Sequence, residues 1–167
     1  MSPTPESPTA AAFRQTLTRP GALRWFLLRQ LPLAWLAGCR LQALEPDRAA
    51  VSLRHRWLNQ NPFRSLYFGA QAMAAELSTG LLVMQHTWQR QPGVSMLVTG
   101  MQAEFTRKAT GLVTFVCLDG ALLRAAVEAT MGTGEGQRVE ATSTGTDESG
   151  AVVARFTFRW AVKQRAA

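Results

Sequence analysis

The stretch from Leu66 to Met84 constrains the fold most, because it has the length of a helix and is apolar nearly all round. A helix on the surface of a protein shows a polar stripe, and this stretch shows none, so we expect it to be buried. Asn59 to Pro62 precede it with residues that favour a helix start. Its apolar members are Leu66, Phe68, Ala70, Ala72, Met73, Ala74, Ala75, Leu77, Leu81, Leu82 and Val83.

Six other segments have the composition and alternation of β-strands. The last of them alternates apolar with polar residues most regularly. In the second, we expect Ala49, Val51, Leu53 and Trp57 on one face, with Ser52, Arg54 and Arg56 on the other. One buried helix and six strands without βαβ alternation indicate the α+β class. The strands are expected at Cys39–Leu44, Ala49–Trp57, Ser95–Phe105, Gly111–Leu118, Arg138–Thr146 and Ala151–Lys163.

Shorter helices are expected on both sides of the central one. Residues 11–31 read as two helical pieces separated at Pro20, with Pro32 ending the segment. A short helix follows Asp119, runs to Met131 and stops at Gly132. Residues 1–10 are rich in Pro, Ser and Thr and predict a disordered tail. The sequence therefore predicts a single domain over residues 11–167 with an N-terminal helical extension. In the short helix, the inward side chains are expected to be Leu122, Leu123, Ala126 and Val127.

Composition excludes several classes of protein. Hydrophobic residues make up 47% of the 167 residues and charged residues 17%, which is a globular balance. Two cysteines and two histidines without ligand spacing argue against a metal site or a disulfide framework. No apolar stretch is long enough to span a membrane, and the N-terminus lacks a secretory signal, so we expect a cytoplasmic protein.

The net charge of +7 favours an anionic partner, which leaves nucleic acid, an anionic membrane or a phosphate-bearing ligand such as coenzyme A. The basic residues are scattered along the chain. The absence of a basic cluster therefore argues against nucleic-acid binding.

Glu76 is the most informative residue, because it is the only acidic side chain between Asp47 and Glu104 and lies within the apolar helix. A carboxylate in such a place is costly unless it is paired, hydrogen-bonded or open to a cavity. Burial would raise its pKa and suit it to act as a base. The structural alternative is a salt bridge to an arginine, with Arg54, Arg56 and Arg90 as candidates.

A second feature is the segment from Asn61 to Ala70, which leads to a helix N-terminus with a glycine seven positions before Glu76. Free N–H groups at the start of a helix can polarise a carbonyl oxygen. The structural alternative is ordinary capping, with Gly69 allowing close packing of the helix on the sheet.

These residues resemble the central-helix motif of hot-dog fold thioesterases of the phenylacetic-acid-pathway type. In that family an Asn and a Gly precede His-Gly-Gly, and an Asp or Glu follows seven residues after the second Gly. The likeness covers residues 30–163 and is greatest to a branch of unassigned function that has Asn-x-Asn and Phe-Gly here. It implies a long helix wrapped by a curved antiparallel sheet. The residues that carry it are Asn59, Asn61, Arg64, Tyr67, Phe68, Gly69, Ala70 and Glu76.

The resemblance also implies roles for individual residues. Glu76 would be the general base or nucleophile, the Gly69 N–H the oxyanion donor, and Asn61 the residue that positions the thioester or the water. Tyr67 stands where the family has His, Phe68 where it has the first Gly, and Arg64 where it has a Gly. Arg107 and Lys108, in the turn between two central strands, are candidates for the phosphates of coenzyme A, and the structural alternative for them is a solvated turn.

Taken together, these expectations favour an acyl-CoA thioesterase that works as a homodimer or a dimer of dimers. Coenzyme A would be part of the substrate, and no other cofactor is expected. The alternative is a non-catalytic hot-dog module that binds an acyl-CoA or a hydrophobic acid. Phe68 and Tyr67 favour the binding module, whereas the lone acid in the helix favours the enzyme.

Overall fold

The computed structural model describes residues 7–165 and contains a central helix, a six-stranded antiparallel sheet and N-terminal helices. The predicted α+β class is confirmed. The elements are α1 (Pro8–Leu17), α2 (Ala22–Gln30), α3 (Pro32–Ala37), β1 (Arg40–Leu44), β2 (Ala49–Arg54), a 3₁₀ turn (Trp57–Asn59), α4 (Phe68–Thr87), β3 (Val94–Phe105), β4 (Leu112–Cys117), α5 (Gly120–Thr133), β5 (Gln137–Thr146) and β6 (Val152–Gln164).

The sheet follows the strand order β1-β2-β4-β5-β6-β3, so its two edges are β1 and β3. All five neighbouring pairs are antiparallel. The sheet is not closed. It contacts α4 through β2 and β4 on one side and through β5, β6 and β3 on the other. The central helix therefore lies in the concave face of the sheet.

Helix α4 is buried as expected, and two polar contacts fix it to the sheet. Ser78 shares a 2.8 Å hydrogen bond with Ser143 of β5. The indole N–H of Trp160 in β6 donates to Thr79 Oγ1 over 3.1 Å. Both bonds satisfy polar groups that would be costly to bury alone. Apolar packing around most of the helix, with these two bonds, sets its rotation in the sheet.

The start of α4 differs from the prediction. The helix begins at Phe68, and its N-cap is Tyr67, which makes no side-chain capping bond. The asparagines expected to start the helix belong to the preceding loop instead. Asn59 is buried, and its amide donates to the carbonyl oxygens of Ala37 and Arg54. These bonds stop strand β2 at Arg54 and turn the chain.

That turn corrects the predicted faces of β2. Trp57 was expected on the same strand face as Leu53, but it lies beyond the end of the strand and is 79% exposed. Ser52, expected on the opposite face with Arg54, is only 2% exposed. Gln42 of β1 covers it, with Gln42 Nε2 donating to Ser52 Oγ over 2.6 Å.

The N-terminal region contains one more helix than predicted. Helix α2 ends at Gln30, before Pro32 as predicted. Pro32 is also the first residue of α3, where a missing N–H costs nothing. Helix α1 begins at Pro8, inside the expected tail of residues 1–10, and Ala10 is fully buried. The rest of that expected tail, residues 1–6, lies outside the described residues.

Two expectations after α4 are also corrected. Of the two strands that were expected to be central, β4 lies between β2 and β5, whereas β3 is an edge strand beside β6. Helix α5 passes Gly132 and ends at Thr133, with Gly134 as its left-handed C-cap. On this helix Leu122 is 53% exposed, whereas Leu123 and Val127 are buried.

Candidate functional site

Glu76 lies in the middle of α4 without a charged partner. Within residues 7–165 no side chain or backbone N–H forms a hydrogen bond or salt bridge with its carboxylate. The three arginines proposed as partners are engaged elsewhere: Arg54 with Glu148, Arg90 with Glu128, and Arg56 with the carbonyl oxygen of Leu36. Burial raises the pKa of Glu76 to about 6. The carboxyl group therefore titrates in a range suited to a general base.

The face of α4 that carries Glu76 is the one that the sheet leaves partly open. Gly69, Ala72, Met73 and Glu76 are each partly exposed, whereas Ala70, Ala74, Ala75 and Leu77 around them are buried. The spacing of three or four residues places the open positions on one side of the helix. A ligand or a partner chain can reach the carboxylate only from this side.

The start of α4 provides N–H groups as expected. The first hydrogen bond into the helix runs from Gln71 N–H to the Tyr67 carbonyl oxygen, so the preceding N–H groups, Gly69 included, have no partner in the helix. The Tyr67 ring packs directly over Gly69, because a Cβ on Gly69 would lie 2.6 Å from Tyr67 Cε1. Gly69 is therefore required for close packing, and the ring shields this turn.

Asn61 organises the loop that precedes α4. Its Oδ1 accepts hydrogen bonds from the N–H groups of Phe63 and Ser65, and its Nδ2 donates to Ser65 Oγ over 3.0 Å. Arg64 within this loop has a φ of 56°, in the left-handed region that favours glycine. That conformation accounts for the Gly found here in the thioesterase motif. Asn61 directs its amide at its own loop rather than at open space.

A cleft of about 550 Å³ opens beside the start of α4. Four of its lining residues are aromatic, and the basic side chains of Arg107 and Lys108 are also part of its lining. Gln71 is only 5% exposed, and its Oε1 is enclosed and accepts no hydrogen bond from any described residue. The cleft is lined by Asn61, Pro62, Phe63, Ser65, Leu66, Tyr67, Phe68, Gln71, Phe105, Thr106, Arg107, Lys108 and Ala109.

The cleft brings together four of the six predicted site residues, namely Asn61, Tyr67, Arg107 and Lys108. Gly69 and Glu76 are not among the residues that line it. Seven residues of α-helix span about 10 Å, so in a single chain one thioester carbonyl cannot contact both of these residues.

Gln71 and Phe105 were not identified from the sequence as site residues. Gln71 could have been identified from the sequence, because it is a polar residue in the first half of a largely apolar helix. Phe105 had none, since its position in the cleft depends on the pairing of β3 with β6.

The other groups capable of reactive chemistry are enclosed. Cys39 and Cys117 are free and buried, and burial raises the pKa of each thiol to about 12. Within residues 7–165 no three His, Cys, Asp or Glu side chains converge to hold a metal ion. Across the same residues, none of the helices has the length and apolar character needed to cross a bilayer.

A family model described as "Domain of unknown function (DUF4442)" matches residues 20–162. No curated protein matches the sequence. Among solved structures, a Pseudomonas aeruginosa protein of unknown function, given as a probable thioesterase, is 24% identical with a TM-score of 0.73. The match covers 87% of this chain and 97% of that one.

Two further structures are similar over most of this chain. A thioesterase from Haemophilus influenzae is 12% identical with a TM-score of 0.63, covering 86% of this chain and 89% of that one. The PaaI protein from the phenylacetic acid degradation operon of Escherichia coli is 11% identical with a TM-score of 0.65, covering 95% and 97%. At these identities the likeness identifies the fold. The protein has the hot-dog fold, as the sequence resemblance predicted.

Proposed function

This chain belongs to the DUF4442 family, and from that membership, its hot-dog fold and the geometry around α4 we propose that it is an acyl-CoA thioesterase. The observation that carries the proposal is Glu76, a partly buried carboxylate without a partner among the described residues, with its pKa raised to about 6. Structural ion pairs account for many buried acids, but here no cation is in place. The descriptions of the similar structures as thioesterases support the same reaction class.

In the proposed reaction, Glu76 accepts a proton from a water molecule as that water attacks the thioester carbonyl carbon. The N–H groups at the start of α4 stabilise the oxyanion that forms on the carbonyl oxygen. The carbon–sulfur bond then breaks, and the thiolate of coenzyme A leaves and takes up a proton. The products are a free acid and coenzyme A.

The separation between Gly69 and Glu76 leads us to propose that the working unit is a homodimer. Strand β3 is a twelve-residue edge with one strand neighbour, β6. Along this edge Leu97, Met101 and Phe105 are 65%, 49% and 49% exposed. Unpaired edges with apolar side chains tend to be covered. Pairing two β3 edges antiparallel sets the two α4 helices side by side in opposite directions, which brings the helix start of one copy toward the carboxylate of the other.

The cleft supplies the remaining parts of the proposed site. Its aromatic side chains, Phe63, Tyr67, Phe68 and Phe105, suit an acyl or aryl group. Arg107 and Lys108 suit the phosphates of the nucleotide, although Arg107 also pairs with Asp147 over 3.3 Å.

A second candidate function is a binding module without catalysis. The position of the Tyr67 ring over Gly69 favours it, because the ring occupies the approach to the helix start. Such a module would hold an acyl-CoA or a hydrophobic acid in the same cleft.

One experiment separates the two functions. Release of coenzyme A thiol from a panel of acyl-CoAs is measured for the wild type, for Glu76→Gln, and for Glu135→Gln as a matched control in the exposed loop after α5. Hydrolysis by the wild type and the control, with loss in Glu76→Gln, is the result expected of the enzyme. Absence of hydrolysis for every acyl-CoA, together with thermal stabilisation by one of them, overturns the enzyme in favour of the binding module.

A further inference from the structure

Four arginines surround a second cleft, of about 350 Å³, on the side of the β1–β2 hairpin that faces away from α4. Arg40 lies opposite Ser52 in the strand register, and Arg54 follows two residues after Ser52, so all three side chains share the outer face. Arg24 of α2 and Arg56 of the segment after β2 complete the group.

Two of these arginines, Arg56 and Arg24, are held in position by contacts that leave N–H groups available. The guanidinium of Arg56 lies against Gly38, where an added Cβ would collide with it, and donates to the Leu36 carbonyl oxygen over 2.9 Å. Gly38 also has a φ of 89°, which favours glycine. The Arg24 guanidinium is 5.6 Å from the centre of the Trp35 ring. Ordering of this kind reduces the entropy cost of binding an anion.

The charges of this cleft are not balanced within the described part of the chain. The one acidic side chain bonded to the four arginines is Glu148, whose carboxylate pairs with Arg54 over 3.3 Å. Four positive charges less one negative charge leave three positive charges around a small concave space, where they repel each other. The side chain of Arg40 forms no ion pair or hydrogen bond with the described residues, so its five N–H donors are open to a ligand.

Two neutral side chains, Gln42 and Ser52, also line the cleft. The Ser52 hydroxyl is only 2% exposed and bonded to Gln42 Nε2, so the donors that face a ligand are the guanidinium groups. A tetrahedral oxyanion of charge two or three fits them, because guanidinium groups bind phosphate oxygens in a bidentate manner.

We propose that this arginine cleft, formed by Arg24, Arg40, Arg54 and Arg56, binds a phosphate group. The group belongs to a soluble phosphorylated molecule or to an anionic lipid headgroup, which share this chemistry. The site does not depend on Glu76, on the cleft beside α4 or on hydrolysis, so it stands or falls separately from the thioesterase.

The test uses the full-length protein and three probes: inorganic phosphate, pyrophosphate, and vesicles of phosphatidylglycerol against phosphatidylcholine. Calorimetry measures the soluble probes and flotation measures the vesicles. The variant Arg40→Gln/Arg54→Gln removes two cleft charges, and Arg138→Gln/Arg155→Gln removes two exposed charges from β5 and β6. We expect about a tenfold or greater loss of affinity in the first pair and less than about twofold in the second.

A third variant tests whether adding net positive charge to the arginine cleft tightens the binding of phosphate. Glu148→Gln removes the competing carboxylate, and we expect it to tighten binding several-fold while thermal stability stays unchanged. Preference for phosphatidylglycerol vesicles assigns the phosphate to a lipid, and preference for a soluble probe assigns it to a free ligand. Equal losses in the two double variants, or no binding of any probe by the wild type, overturn the proposal.

Discussion

The Glu76 carboxylate lies along α4 against Gly80, so that a Cβ on Gly80 would be 3.2 Å from Glu76 Oε1. The same added atom would be 3.4 Å from the ring of Trp160, which is tied to the helix through Thr79. Gly80 therefore makes room for both side chains in the middle of α4, at the helix-propensity cost of a glycine. The carboxylate is enclosed there without a cation bonded to it among the described residues, in keeping with its raised pKa.

Glu76→Gln should stabilise the protein at pH 8. The pKa of Glu76 is about 6 in the folded chain against a model value of 4.5, so its contribution to stability is complete below pH 4.5 and is lost as the pH rises through 6. We expect a gain of at most about 2 kcal/mol in the free energy of unfolding at pH 8 and no gain at pH 4. Urea denaturation at both pH values measures it. A less stable variant at pH 8 would show that a cation holds the carboxylate.

The rate of thioester hydrolysis should rise with pH through the pKa of Glu76. Only the ionised carboxylate accepts a proton from water, so kcat/KM should reach half of its plateau near pH 6. Initial rates from pH 4.5 to 8.5 with one acyl-CoA check this. A rate independent of pH over this range would exclude Glu76 as the base.

Tyr67→Phe isolates the hydroxyl of Tyr67 from its ring. The phenyl ring still packs on Gly69 and beside Phe68, so we expect unchanged thermal stability. If the hydroxyl contacts the thioester, kcat should fall about tenfold or more while KM changes little. Steady-state kinetics with unchanged kcat would restrict Tyr67 to a packing role.

Asn59→Ala should destabilise the fold, because Asn59 makes three buried bonds. Its Oδ1 accepts from Arg56 N–H over 2.7 Å, and its Nδ2 donates to the carbonyl oxygens of Ala37 and Arg54. We expect a loss of about 2–3 kcal/mol in the free energy of unfolding, against about 1 kcal/mol for Asn61→Ala in the more exposed loop. Urea denaturation of both variants gives the comparison. Equal losses would contradict the structural role of Asn59.

Met101→Lys should prevent the proposed dimer. Met101 is 49% exposed in the middle of the β3 edge, and two lysines brought together there would repel each other. Light scattering after gel filtration should give a dimer for the wild type and a monomer for the variant. Leu118→Lys, at an equally apolar exposed position beyond β4, should stay dimeric. A monomeric wild type would remove the basis for a site shared between two copies.

The boundaries of the elements were predicted well where one local pattern dominates and poorly where a distant contact decides. The alternation from Val152 to Gln164 predicted β6 to within a residue at each end. The start of α4 was misplaced because Asn59 bonds to the carbonyl oxygen of Ala37, twenty-two residues away, instead of capping the helix. Likewise, β3 and β4 follow each other in the sequence with a short connection between them, but in the sheet β3 pairs with β6, and β4 pairs with β2 and β5.

The amino-acid sequence by itself determined the α+β class, the burial of the central helix and the singular position of Glu76, because each follows from which residues are apolar and how they are spaced. Only the tertiary structure decided that Glu76 has no cation bonded to it among the described residues, and that Gln71 and Phe105 line a cleft with Tyr67. It also decided that four arginines, from α2, β1, β2 and the segment after β2, line a second cleft. Those relations depend on which elements the folded chain brings together, and spacing along the chain does not encode them.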